Sequence, residues 1–453
     1  MLARGATELA ALVKTEERSL VILNSASWPR TDIVQVQLPD GLGVAEANAP
    51  SCATPAGTLL LVKDVPSCGY KVLPLTPQPR SASPTEDSGS TLESPYYRVT
   101  FHPTNGAVIS LFDKELKREL VDPSAPYLLN QYLYVTGGDG SRIVMNPNGP
   151  EPKLSVMRPE KATLRRVRLG NLGERMIIET SAPMTPSLVT EVTVWNHLRR
   201  VDILNRFDKT ETYDKEAVYF AFPFVAENPT FRYQCPAGIV NANRDMLPGA
   251  CLDWFAVQHF VEIETADAAV TWSTPDAPLV CFQDINRGKW LRNLPLKSGH
   301  LYAYVLNNYW HTNYKADQGG RHVFRFSITS RAKADNTASA QFGWTAANPL
   351  LPAISHEGQP GPLPGQSASL VEIAEPNVLL LAAKQAEVGD GLVLRLWEVS
   401  GRPATAHVRL HHLSVRSAVN CNLVEDSEGT LEVRNGETAV PIRASGLATL
   451  KIQ

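Results

Sequence analysis

Over most of this chain apolar residues recur at every second position, in short runs closed by proline, glycine or Asn-Gly, and that period builds strands rather than helices. Val34, Val36 and Leu38 alternate with Gln35 and Gln37. Tyr97, Val99 and Phe101 repeat the pattern, as do Val192 and Val194, then Val218, Phe220, Phe222 and Phe224, then Phe324, Phe326 and Ile328. Residues 59–62 and 378–383 are short, wholly apolar runs, and Leu392, Leu394 and Leu396 alternate again. The 34 prolines and 29 glycines are more than long helices tolerate and read as turns between strands. One stretch keeps a helical period: residues 3–16 put Ala6, Leu9, Ala10 and Val13 on one stripe and Glu8, Lys14 and Glu16 off it. It is the one helix the pattern predicts.

A length of 453 residues predicts about three domains. Residues 1–18 hold the helix, which must bury its stripe somewhere and reads as the trailing end of a helical bundle lying upstream. A stripe left uncovered would favour self-association. Residues 19–77 read as a small β-sandwich and 78–95, rich in Pro, Ser, Thr and acid, as a linker. Residues 96–331 predict a large antiparallel sandwich, well beyond the roughly 100 residues of an immunoglobulin-like domain. A second breaker-rich linker follows at 332–367, with Asn348-Pro349 and Gln359-Pro-Gly-Pro-Leu-Pro-Gly365, and a final β domain at 368–453. Asn105-Gly106 and Asn435-Gly436 each predict a type I′ hairpin turn, because both positions of that turn need positive φ.

Charge and composition remove several function classes. With 43 Lys+Arg against 46 Asp+Glu the formal charge is −3, which gives phosphate backbones and anionic lipid no excess positive field, so neither nucleic acid nor membrane is expected as a partner. Six cysteines, with no Cys-x-x-Cys pair, exclude a ribbon-type zinc site and argue against a disulfide framework. The longest apolar run, 217–226, is half of what a membrane helix needs and contains Pro223. Glu8, Lys14, Glu16 and Glu17 interrupt what would be the apolar core of a signal peptide, so a soluble chain with no visible signal peptide is expected and its compartment is left open.

The densest cluster of polar and aromatic residues is Asn307-Asn-Tyr-Trp-His-Thr-Asn-Tyr314, followed by Asp317-Gln-Gly-Gly320. Aromatic faces stack on sugar C–H surfaces and amides match hydroxyls, so Tyr309, Trp310, His311 and Asn313 are candidate carbohydrate contacts; the alternative is a loop capping itself around a core Trp310. A weaker cluster spans 245–259, where Asp245 and Trp254 are candidates beside Gln258 and His259. Asp253, Asp284 and Asp317 are further acids near turns, though a turn carboxylate is the commoner role. His407 and His411 lie four apart, but the alternation with Val408 and Leu410 places them with Arg409 on the solvent side of a strand. No catalytic residue and no metal ligand is assigned.

Three stretches together resemble one family. Leu20-Val-Ile-Leu-Asn-Ser-Ala-Ser-Trp-Pro-Arg30 resembles the segment that opens the first β domain after the catalytic part of glycoside hydrolase family 38 α-mannosidases. Asn105-Gly-Ala-Val-Ile-Ser-Leu-Phe-Asp113 with Glu119-Leu-Val-Asp122 is similar to the hairpin that starts its large sandwich. Glu375-Pro-Asn-Val-Leu-Leu-Leu-Ala-Ala-Lys384, Gly391-Leu-Val-Leu-Arg-Leu-Trp-Glu398 and Ser400-Gly401 resemble its closing β domain. The resemblance covers only that family's C-terminal half. It implies a mainly β fold: a galactose-mutarotase-like antiparallel supersandwich flanked by two smaller β-sandwich domains, with one short N-terminal helix. It also implies that the nucleophilic Asp and the zinc ligands belong to an N-terminal catalytic barrel and bundle, that no cofactor is held here, and that this barrel is the natural partner. The leading expectation is thus the C-terminal region of an α-mannosidase-like hydrolase, structural and substrate-shaping, the isolated chain being inactive. An independent carbohydrate-binding module is the second reading. An aldose epimerase using His259, His311 or His322 is the third.

Overall fold

The structure, a computed structural model, describes residues 2–45, 47, 49–77, 83–138, 153–309 and 316–453. It is mainly β, with antiparallel pairing throughout its sheets. The chain forms two compact units, one of residues 1–84, 170–172 and 335–453, the other of 85–169 and 173–334.

The second unit is the large sandwich. Its ten-stranded sheet runs from Gly238–Asn241 at one edge to Thr85–Asp87 at the other, and its six-stranded sheet centres on Glu216–Glu227 and Ser298–Asn307. Between them lies one apolar core that includes Phe207, Val218, Phe220, Phe222, Phe224, Trp272, Phe326 and Ile328. Strand Glu216–Glu227 explains the ten-residue apolar run: Val218, Phe220, Phe222 and Phe224 enter that core while Ala217, Tyr219 and Ala221 enter a second cluster on the sheet's other face. A strand covered on both sides has no polar face to alternate with.

In the first unit, strands Ser19–Asn24 and Gly69–Pro74 pair with Leu351–Ile354 and Ala368–Ser369, so segments some 300 residues apart share one sheet. The C-terminal sandwich packs a four-stranded sheet on a five-stranded one around Val371, Leu394, Leu396, Val408, Val440 and Leu450.

Several expectations meet a different outcome. The helix spans Leu2–Ala10 rather than reaching Glu16, because the chain then turns to bridge to the 359–363 segment: the Lys14 amide donates to the Leu363 carbonyl at 3.0 Å and the Leu363 amide to that of Leu12 at 3.0 Å. Its stripe is covered by the chain itself. Ala6, Ala10 and Val13 are buried with Val21, Leu23, Tyr70, Ala353 and Leu363, which removes the stripe as a reason for self-association.

Residues 332–367 are not simply a linker, and among the described residues there are two helices, not one. Asn336–Ala347 is helical, opened by Asp335, whose side chain accepts from the Ala338 amide at 3.1 Å. Its buried residues are Ser339, Ala340 and Gly343, so small residues face the core and no apolar stripe shows in the sequence. In 78–95, residues 78–82 lie outside the described ones, while Thr85–Asp87 and Thr91–Glu93 pair as short edge strands. Both Asn435 and Gly436 have positive φ, +52° and +76°, as a type I′ turn requires. The Asn105-Gly106 hairpin instead closes a six-residue loop in which Gly106 alone has positive φ, +73°.

Candidate functional site

The carboxylates of the family-like motifs hold backbone. Asp113 accepts from Arg199 Nη2 at 2.6 Å, Ser330 Oγ at 2.5 Å and the amides of Glu115 and Leu116 at 2.9 Å. Glu119 accepts from Ser110 Oγ at 2.5 Å and from the amides of Leu111, Leu120 and Val121 within 3.0 Å. Asp122 accepts from Ser124 and pairs with His300 Nε2 at 2.8 Å; burial opposes its ionisation, but these hydrogen bonds outweigh it and hold the carboxyl below its usual range. Asn24 does the same work at the first motif, donating to the carbonyls of Trp28 at 2.8 Å and Pro66 at 2.9 Å, while Arg30 pairs with Asp32 at 2.8 Å and donates to the Asn348 carbonyl at 2.5 Å, at the C-terminal end of the second helix.

Glu398 is the most heavily used carboxylate of these motifs. It is fully buried and accepts at one oxygen from Asn377 Nδ2 (2.8 Å), the Ser400 amide (2.7 Å) and Ser400 Oγ, and at the other from the amides of Gly401 (3.0 Å), Arg402 (3.1 Å) and Ser445 (2.9 Å). Burial raises its proton affinity, yet the donors win and the carboxyl lies below the ordinary glutamate value.

Of the carbohydrate candidates, Tyr309 and Trp254 belong to one cluster on the outer face of the six-stranded sheet. There Leu133, Tyr219, Ala221, Cys281, Tyr302 and Tyr304 form a second cluster, closed over by Ile285 and Tyr309 and flanked by half-buried Trp254. Tyr309 is 4% exposed; its hydroxyl donates to the Gly137 carbonyl at 2.8 Å and burial raises its pKa. Its ring is packed inside this cluster rather than offered at a rim. Trp310, His311 and Asn313 lie outside the described residues.

Asp245 is an exposed turn carboxylate, accepting from the Asn241 amide at 2.9 Å and Arg244 Nε at 3.1 Å; the Asn241 hydrogen bond is the main reason it ionises below its usual value. The other acids near turns also serve their loops. Asp253 accepts from the amides of Trp290 (2.9 Å) and Leu291 (2.8 Å), Asp284 from Ile285 (2.7 Å) with Lys289 paired at 2.7 Å, and Asp317 from Gly319 (3.0 Å). Burial drives the His259 imidazole down to about 4, and His322 stacks on Phe207 with ring centroids 5.2 Å apart. His407 and Arg409 do face solvent, on strand Ala404–Leu410, each paired with a glutamate.

Sequence reasoning missed Arg287, which is fully buried with its guanidinium 3.3 Å from the centre of the Tyr309 ring. In Ile-Asn-Arg-Gly-Lys289 nothing sets it apart from a solvated turn. A broad open groove of about 1130 Å³ elsewhere on the second unit is lined by His102, Gln131, Arg158 and Lys161 among others, with no Tyr, Trp or Phe among the described residues that line it for a sugar to stack on. Among the described residues no three His, Cys, Asp or Glu side chains converge as metal ligands do, and no helix is long and apolar enough to cross a membrane.

Comparison with known proteins places this geometry. Residues 377–450 match the family model described as glycosyl hydrolases family 38 C-terminal beta sandwich domain. An alpha-mannosidase from Enterococcus faecalis V583 is similar over 100% of this chain and 58% of its own, with a TM-score of 0.72 at 14% identity. A glycosyl hydrolase family 38 protein from Enterococcus faecalis is similar over 98% of this chain and 59% of its own, at 0.70 and 12%. A galactose mutarotase-like protein from Lactobacillus casei ATCC 334 overlaps 53% of this chain at a TM-score of 0.31, too slight to bear on function. No curated protein matches by sequence. The chain thus spans less than two thirds of the solved structures whose fold it shares. At residues 377–450 it is similar to the glycosyl hydrolase family 38 C-terminal beta sandwich domain, the resemblance that the motifs around Glu375 and Glu398 led one to expect.

Proposed function

We propose that this chain is the C-terminal β region of an α-mannosidase-like glycoside hydrolase, structural and substrate-shaping, and that the parent enzyme cleaves α-mannosidic or related glycosidic bonds. The observation that carries the reading is the family 38 match at 377–450 together with a likeness in fold over the full chain to 58% of a solved alpha-mannosidase. The use of Asp113, Glu119, Asp122 and Glu398 as backbone anchors supports a scaffolding role, since none of the four is left free for acid–base work on a sugar. In this reading the parent's zinc belongs to its catalytic part, as the family resemblance implies. That catalytic part is the proposed partner.

The test is hydrolysis of an aryl α-mannoside by the purified chain, alone and with zinc added. No turnover is expected, and zinc-dependent turnover by the chain alone would overturn the assignment. Calorimetric titration with mannose and manno-oligosaccharides completes it: saturable binding would turn the reading toward an independent carbohydrate-binding module.

A further inference from the structure

The open groove of the second unit is lined by hydrogen-bond donors whose directions the backbone has already fixed. Four segments wall it, 102–105, 126–131, 156–161 and 181–183, and it holds about 1130 Å³. A recess of about 30 Å³, room for a single water, shares Asn105, Gln131 and Pro159 with it. Gln131 is 4% exposed, and its Oε1 accepts from the Leu128 amide at 3.1 Å. A backbone amide can only donate, so the carboxamide cannot be flipped and Nε2 is the end left over. That nitrogen has no acceptor among the described residues and is not sealed inside the protein, so it opens on the groove. Asn105 repeats the device: Oδ1 accepts from the Ala107 amide at 3.1 Å, which leaves Nδ2 to donate. His102 does so with a ring, its Nδ1 accepting from the amides of Thr104 and Asn105 at 3.3 Å each, which puts the ring proton on Nε2. Three neutral donors, each set by the main chain, thus line one groove.

The charges beside them add to the same excess of donors. Arg158 and Lys161 are exposed between strands Ser155–Met157 and Ala162–Arg168, which belong to different sheets, and neither has a carboxylate partner among the described residues. Arg158 uses one N–H on the Pro126 carbonyl at 3.3 Å and keeps the rest. Glu160 is the one acid among the described lining residues, and it pairs with neither of its basic neighbours. A ligand for this surface must be rich in acceptors, carry a negative charge and offer a hydroxyl proton to Glu160. A sugar bearing a carboxylate has all three: the carboxylate for Arg158 and Lys161, ring and hydroxyl oxygens for His102, Asn105 and Gln131, a hydroxyl proton for Glu160. With no Tyr, Trp or Phe on the described lining, hydrogen bonds rather than stacking hold such a ligand. The groove exceeds the roughly 300–1,000 Å³ of a small-molecule pocket, which leaves room for more than one sugar unit.

We propose that this groove binds an acidic oligosaccharide, a chain of uronate units, with Arg158 and Lys161 on a carboxylate and His102, Asn105 and Gln131 on hydroxyl and ring oxygens. The site stands independently of the mannosidase reading, because neutral mannosides lack the carboxylate. Isothermal titration of the full chain with trigalacturonate should give saturable heat, and titration with neutral maltotriose, of the same length, should give none. Replacing both exposed bases, Arg158→Ala with Lys161→Ala, should weaken trigalacturonate binding about tenfold or more. Asn105→Asp keeps the oxygen that accepts from Ala107 and changes only the donor, so the loop folds as before while binding falls about tenfold. No saturable heat with trigalacturonate at millimolar concentrations, equal binding of maltotriose, equally tight binding of the acidic peptide triglutamate, or wild-type affinity in the Asn105→Asp variant would each overturn the proposal.

Discussion

Replacing Glu398 by glutamine tests the claim that this region's motif carboxylates are structural. Glutamine has almost the same shape, so packing is kept and only the hydrogen-bonding character changes. Each oxygen of Glu398 faces three donors: Asn377 Nδ2, Ser400 N and Ser400 Oγ on one side, the amides of Gly401, Arg402 and Ser445 on the other. Turned one way, the new NH2 meets three backbone amides that can only donate; turned the other, it meets Asn377 Nδ2 and the Ser400 amide, with the Ser400 hydroxyl alone able to reverse and accept. Breaking a buried charged network in this way costs about 3–5 kcal/mol, a large share of the 5–15 kcal/mol typical of a whole domain. Because the chain has two compact units, a single melting temperature would blur the effect, and the measurement of choice is hydrogen exchange by mass spectrometry on peptides covering 395–403 and 440–447. E398Q should lose several orders of magnitude of protection there while peptides of the large sandwich are unchanged.

Acid should mimic the substitution, since a protonated carboxyl also presents a donor to donors. The folded pKa lies below the ordinary value of 4.5, so the stabilisation is complete above that value and is lost as pH falls through the folded pKa. E398Q should flatten that acid limb. A loss under about 0.5 kcal/mol, within the usual range of neutral surface changes, would refute the reasoning.

Three further outcomes are expected. Gly436→Ala meets no atom nearer than 3.9 Å and should cost only the left-handed backbone strain of about 1–2 kcal/mol, whereas Gly106→Ala adds a Cβ 2.4 Å from Ile178 Cγ2 and should cost about 1–3 kcal/mol more; urea unfolding of the two side by side decides it. Arg30→Met leaves Asp32 buried without its guanidinium and uncaps the second helix, for a loss of about 3–5 kcal/mol read as faster exchange across Asn336–Ala347. His259, pushed to about 4 by burial, is neutral in the fold while the unfolded chain protonates near 6.5, so the large sandwich should lose stability as pH falls from 6.5 toward 4; His259→Gln should remove part of that slope, and an NMR titration should show the imidazole unprotonated at pH 5.5.

The strand periodicity, the Asn435-Gly436 turn and the family-like motifs were legible in the chain because each is a local property: alternation, turn chemistry and a contiguous string of residues. Asn435-Gly436 shows the limit of such reading, since the same dipeptide at 105–106 has room for a longer loop and takes a different turn. The second helix was hidden because its core face is Ser339, Ala340 and Gly343, and the N-terminal helix could not announce that residues 351–363, more than 300 positions away, would cover it.

Sequence alone settled that this is a β protein with several stretches that resemble one family, most of them carrying an acidic residue. Which donors those acids face, and that Arg287 lies buried over Tyr309 rather than in solvent, came only with the tertiary structure. Burial and hydrogen-bond partners are relations between distant segments, set by how sheets close on one another, and no local pattern encodes them.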